Sequence, residues 1–223
     1  MKMSTKQNYS GGRNTAGFTL IELLVVIGII GMVAALTVVG LGAVKYKKGV
    51  SGTKAQLARL ELAIESYKSV FGSYPPDNPT TAAATPWWNP LAYELGGMRR
   101  SGVSDSTSEQ LPTHTVTAAP PMLASYFNLG GLVNVQPAGT TKHKYALTLR
   151  GTGLTGDFVL LTNGVAGMPA AMLLQVPAEH PTSPVNVWRY RAYPAGGRNP
   201  KTYDLWAELK QKGTGTNIIG NWK

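Results

Sequence analysis

Apolar positions along this chain follow three different rhythms, and each predicts a different kind of element. From Leu23 to Val44 the run LLVVIGIIGMVAALTVVGLGAV carries no charge over 22 residues. A helix rising about 1.5 Å per residue crosses a ~30 Å hydrocarbon layer in that length, so the run predicts one membrane helix. A secretory signal has an apolar stretch of only about 7–15 residues and then a small-residue cleavage site; here Lys45, Tyr46, Lys47 and Lys48 follow instead. A buried helix of a soluble domain normally keeps a polar face, which this run lacks.

The second rhythm has steps of three and four. Leu57, Leu60, Ile64, Tyr67 and Phe71 line one side of an amphipathic helix, with Gln56, Arg59, Glu61, Glu65 and Lys68 on the other. Gly72 followed by Pro75-Pro76 predicts its end. Gly49 and Gly52 interrupt the join to the apolar run, each costing about 1 kcal/mol relative to Ala, which predicts a long helix with a soft middle.

The third rhythm is alternation. Tyr145, Leu147 and Leu149 recur at period two within Lys142 to Arg150, and Asp157 to Asn163 forms a second short run. The intervening Gly151 to Gly156 (GTGLTG) matches a dinucleotide-binding fingerprint letter for letter. That motif requires a helix after it, and DFVLLTN reads as a strand, so a hairpin loop is expected. Nearer the end, VNVWRYRAYPAG and TYDLWA predict paired strands. Trp188, Tyr190 and Tyr193 interleave there with Arg189 and Arg191, a pattern that suits base stacking and phosphate contact but also a half-buried strand with its arginines in water; the strand is the expectation. Asp77 to Thr141 is rich in Pro, Ala, Thr, Ser and Gly, and predicts loops and short helical turns, with Trp87-Trp88 packing a loop onto the domain. One helix followed by short strands is an α+β chain.

Composition narrows the chemistry. The chain has no cysteine, which removes disulfide frameworks, thiolate catalysis and Cys-ligated metal. Its net charge of +10 is partly terminal: Lys2, Lys6 and Arg13 precede the apolar run without an acid among them, leaving +7 dispersed over the rest. With three bases before the span and three after it, the positive-inside rule does not orient the chain. The chain contains no Gly-x-Ser-x-Gly elbow, no His-Glu-x-x-His and no phosphate loop, and its histidines, His114, His143 and His180, are scattered. An enzyme is not expected, and each histidine reads as a satisfied surface residue.

One residue breaks the apolar pattern. Glu22 lies one turn inside a run that begins at Phe18, where a carboxylate costs about 2.5–3.5 kcal/mol on insertion scales and needs either a partner or a place at the interface among the headgroups. A basic leader ending in Gly17, then Phe18-Thr19-Leu20-Ile21-Glu22 and a long apolar helix, resembles the processing signal of type IV pilins and type II secretion pseudopilins. The resemblance implies a pilin-like α+β fold, its long N-terminal helix membrane-spanning in the first half and packed against a small antiparallel sheet. It implies cleavage between Gly17 and Phe18 by a prepilin peptidase on the cytoplasmic side and N-methylation of Phe18. The new amine of Phe18 would pair with Glu22 of a neighbouring subunit and set axial register. The organisation implied is a cleaved leader at 1–17, a transmembrane and filament-core helix at 18–44, its amphipathic continuation at 45–75, and a periplasmic domain at 76–223 with a long insertion at 77–184. Family members often carry a proline in the second half of the membrane helix; here Gly40 and Gly42 are the nearest substitutes.

Four short pieces bear a second resemblance, to the major pseudopilin of type II secretion: Gly72-Ser73-Tyr74-Pro75, Arg191-Ala192-Tyr193-Pro194, Tyr203-Asp204-Leu205-Trp206 and Ile219-Gly220-Asn221-Trp222. That subunit binds calcium in the loop after its Leu-Trp strand. Here Ala207 to Asn217 has Glu208 as its sole acid, and Lys201, Lys210 and Lys212 lie nearby, so neither a metal nor another cofactor is expected. The function implied is that of a structural subunit of a periplasmic pseudopilus, single-pass in the bacterial inner membrane. Its partners would be copies of itself, minor pseudopilins, the prepilin peptidase, and an inner-membrane assembly platform with its cytoplasmic ATPase; nucleic acid is not expected. The alternatives are a type IV pilin for adhesion, motility or DNA uptake and, from another class, a membrane-anchored binding module or hydrolase.

Overall fold

A computed structural model describes residues 17–78, 86–101, 104–107, 127, 129, 131–137, 147–149, 156–161, 170–211 and 213–222, without the side chains of 36–41, 99–101, 104–107 and 137. The leader, the Gly151 to Thr155 part of the fingerprint, His114 and His143 lie outside them. The chain divides into two compact units, Met1–Val44 and Lys45–Lys223.

Helix α1 runs Leu20–Phe71. It is one long helix through Gly49 and Gly52, as expected, and both glycines are packed. A Cβ on Gly49 would stand 3.2 Å from the Ala178 Cβ, and one on Gly52 would stand 3.5 Å from Pro177. Gly49 lets the Pro177-Ala178 backbone come close, Gly52 packs on the Pro177 ring at an ordinary distance, and Thr53, buried beside them, donates its hydroxyl to the Gly49 carbonyl at 2.8 Å. The C-terminal end follows the prediction: Gly72 takes φ +80°, a left-handed conformation that glycine adopts without penalty, and its N–H donates to the Lys68 carbonyl.

In the second unit Leu57, Leu60, Ile64 and Tyr67 form the buried stripe of α1. The short helix α2 (Leu91–Gly96) leads into β1 (Met98–Ser101), which pairs antiparallel with β2 (Ser104–Thr107) and parallel with β3 (Val135–Pro137). Strand β4 (Phe158–Leu161) pairs antiparallel with β5 (Ala171–Leu174). Of the first strand expected before the fingerprint, only Leu147 to Leu149 are described; they are not in a strand, and the Leu147 N–H donates to the Leu95 carbonyl, while the rest of Lys142 to Arg150 lies outside the described residues. The third sheet has the order β6 (Arg189–Ala192), β7 (Tyr203–Lys210), β8 (Thr216–Gly220), antiparallel throughout, as the alternation predicts for the first two. Tyr203, Leu205, Ala207 and Leu209 of β7 point into the core with Tyr190 and Ile219. The fold is α+β and pilin-like: a long N-terminal helix on small, mainly antiparallel sheets.

Buried polar groups tie these pieces together. The Glu94 carboxylate, fully buried, accepts the Tyr67 hydroxyl at 2.8 Å and the N–H groups of Val133 and Asn134 at 2.8 and 2.9 Å. Burial pushes its pKa above the ordinary carboxylate value, while these donors act the other way. The Trp188 indole donates to the Gln56 amide oxygen at 2.9 Å, and the Tyr190 hydroxyl to the Pro75 carbonyl at 2.7 Å. As expected, Trp88 is buried and packs on Phe127, with Trp87 edge-on beside it.

Candidate assembly site at the N terminus

Gly17, Phe18 and Glu22 sit at the start of α1, all exposed, with Phe18 and Leu20 each 81% accessible. A side chain added at Gly17 would meet nothing within 4 Å, so the fold of this chain does not itself demand glycine there. Thr19 precedes the first helical residue and acts as its N-cap. Its backbone N–H donates to Glu22 Oε2 at 2.8 Å, its hydroxyl donates to the same oxygen at 2.7 Å, and the Glu22 N–H donates to Thr19 Oγ1 at 3.3 Å. This reciprocal pair is a capping box, which satisfies backbone donors that a helix start otherwise leaves open. The carboxylate also lies at the positive end of the helix dipole.

Glu22 therefore has a partner inside its own chain, a contact that its place in the apolar run does not predict. The signal for it in the sequence is Thr19-Leu20-Ile21-Glu22, the T-x-x-E spacing of such a box. Because the site is open on every described side, its carboxylate and the backbone of Phe18 remain within reach of another molecule.

The other candidate chemistry is less available. Trp188 and Tyr190, whose spacing suits base stacking, are each 1% exposed. Arg189 does not face water: its Nε lies 3.2 Å from Glu208 Oε1, and its guanidinium packs on His180. The interleaved strand is a half-buried structural strand. His180 lies in a turn, as expected, but its ring is mostly covered. Where the resemblance would place calcium, β7 and β8 pair continuously from Trp206 opposite Gly220 to Lys210 opposite Thr216, and the Gln211 N–H closes the turn on the Gly215 carbonyl. The Glu208 carbonyl is taken by the Asn186 amide and its carboxylate by Arg189. The donors present do not fit a hard cation that takes six to eight oxygens.

Residues 12–38 match the family model of the prokaryotic N-terminal methylation motif. The N terminus carries a type IV pilin-like signal. That match spans Gly17, Phe18, Thr19 and Glu22, so it includes both members of the capping box. Such a motif points to processing by a prepilin peptidase, filament assembly and a membrane-anchored N terminus. No curated protein and no solved structure matches this chain. Among the described residues no helix is long and apolar enough to cross a membrane; the uncharged run includes 36–41, whose side chains are outside that set.

Proposed function

We propose that this chain is a structural, non-enzymic subunit that is cleaved after Gly17, methylated at Phe18, and polymerised through the apolar N-terminal half of α1. The observation that carries the reading is the methylation motif at 12–38 together with the uncovered apolar residues it contains from Phe18 to Val33. The sequence run Leu23 to Val44 would cross the inner membrane once before assembly, with the domain from Lys45 onward in the periplasm. In the filament the freed amine of Phe18 and the carboxylate of Glu22 on an adjacent copy neutralise each other in an apolar setting. Repeating one head-to-tail contact that does not close gives an open helix.

The system preferred is a type II secretion pseudopilus, with this chain as its major subunit beside minor pseudopilins, an assembly platform and a cytoplasmic ATPase. Support comes from the pieces that resemble that subunit meeting in one place. Asn221 accepts the Leu205 N–H and donates to the Tyr203 carbonyl, both at 2.9 Å, and the Trp222 ring lies 5.7 Å from that of Trp206. A surface pilin for adhesion, motility or DNA uptake shares the N-terminal motif and is the second reading.

The test is Gly17→Leu in the native host. Side-chain room at Gly17 means that the variant folds; the expected result is accumulation of unprocessed precursor and loss of secretion of extracellular enzymes. Wild-type processing and secretion would overturn the cleavage assignment. Loss of motility or DNA uptake with secretion intact would move the chain to the pilin reading.

A further inference from the structure

His180 caps its turn through a ring nitrogen that accepts from two backbone N–H groups and so must be unprotonated. Its Nδ1 lies 2.8 Å from the Ser183 N–H nitrogen and 3.1 Å from that of Thr182, so this nitrogen is an acceptor that caps the turn. The single proton of the neutral ring is then on Nε2, which faces Glu208 Oε2 at 3.4 Å. Arg189 Nη2 stands 2.8 Å from the same Nε2 and places a positive charge beside the ring. A second proton on Nδ1 would point at two backbone N–H groups, with Thr182 Oγ1 3.5 Å away.

The capped turn holds a junction of the fold. Glu179 precedes His180: its carbonyl accepts the Lys210 N–H of β7, and its carboxylate pairs with Lys45 Nζ of α1 at 2.6 Å. Ala178 is the residue against which Gly49 packs, and its carbonyl accepts the Asn186 amide. One turn thus connects the 45–52 segment of α1 to the third sheet.

We propose that His180 is a pH-sensitive clasp: as a neutral ring it caps the 180–183 turn and keeps the 45–52 segment docked, and its protonation in mild acid opens both. The charged groups around it are Arg189 of β6, Glu208 of β7 and, through the turn, Glu179 with Lys45 and Lys210. Burial and then Arg189 lower the ring's pKa from its ordinary value, and Glu208 opposes them. The unfolded or opened ring protonates near pH 6.5 while the closed ring resists, so the closed form is fully favoured above about pH 6.5 and loses that advantage as pH falls below it. The clasp is independent of the filament reading.

The experiment is hydrogen exchange on the full chain at pH 7.5 and 5.5, corrected for intrinsic rates, with His180→Asn alongside. An asparagine oxygen caps a turn in the same way but does not titrate in this range. The expected result is at least a several-fold rise in opening at Thr182, Ser183 and residues 45–52 at the lower pH, unchanged protection at Leu60 to Tyr67, and no rise in His180→Asn. Equal opening at both pH values, or the same rise in the Asn variant, would overturn the proposal. Should His180→Asn fail to fold, nitrogen NMR of the wild-type ring decides: an Nε2–H tautomer titrating below 6.5 supports the clasp, and an Nδ1–H tautomer or a higher midpoint overturns it.

Discussion

The first half of α1 is far richer in large aliphatics than the second, yet only the second buries them. From Leu57 to Tyr67 the apolar stripe is covered by the strands of its own chain, with Ile64 and Tyr67 at 0% exposure. In the first half even Val26, the best covered of the large apolar residues described there, keeps 45%. Each such side chain is worth roughly 1.5–3 kcal/mol when removed from water, so the first half retains a large unmet drive for burial. The second half shows what one chain covers for itself, and the first half what it leaves for lipid or other copies. Glu22 sits on the uncovered side, capping the helix while the subunit is alone.

The largest effect that separates the halves comes from truncation. Ile64→Ala should destabilise the second unit by about 2–5 kcal/mol in urea unfolding, whereas Ile27→Ala should leave that transition unchanged and reduce assembly. Equal losses of stability would erase the contrast. Next is charge against capping at the helix start. Glu22→Gln keeps a side chain able to complete the box but has no charge; it should preserve the helix start and still assemble poorly, as measured by sedimentation of processed subunits. Normal assembly would reduce Glu22 to a cap. Thr19→Val removes the cap itself and should cost the first turn about 1 kcal/mol, visible as faster amide exchange near Leu23, with the melting of the second unit unaffected.

Smaller still is the glycine contact. Gly52→Ala meets Pro177 at an ordinary van der Waals distance and gains helix propensity, so thermal unfolding should show up to about 1 kcal/mol of added stability. The smallest expected effect is none: calcium or a chelator should leave the melting temperature of the intact protein where it was, because the β7 to β8 ladder and Arg189 occupy the groups a cation would use. A calcium-dependent rise would restore the metal site.

Much of this contrast is legible in the sequence, because helix periodicity, a terminating glycine and strand alternation are local. Leu57 to Tyr67, Gly72 and the pairing of β6 with β7 follow from neighbours a few residues apart. What stays hidden depends on residues far away. Gly49 and Gly52 read as weak points because Pro177 and Ala178, which pack on them, are over 120 positions distant. Asp157 to Asn163 reads correctly as strand-forming, but its described partner, Ala171–Leu174, carries no alternation that singles it out. Leu62, 71% exposed in the middle of the packed half, shows that apolar identity alone does not assign a face. At the candidate site the residues themselves are legible and their internal geometry is not: the charge of Glu22 in an apolar run draws attention away from its spacing to Thr19.

If other copies of this chain cover the first half of α1, its exposed side chains must touch those copies in the cell. A photo-crosslinking amino acid placed at Ile27 in the native host, where the side chain is 60% exposed, tests this directly. The expected result is a ladder at multiples of the processed subunit's mass that collapses when Glu22→Ala is added. Adducts to lipid alone, or a ladder indifferent to Glu22, would contradict it.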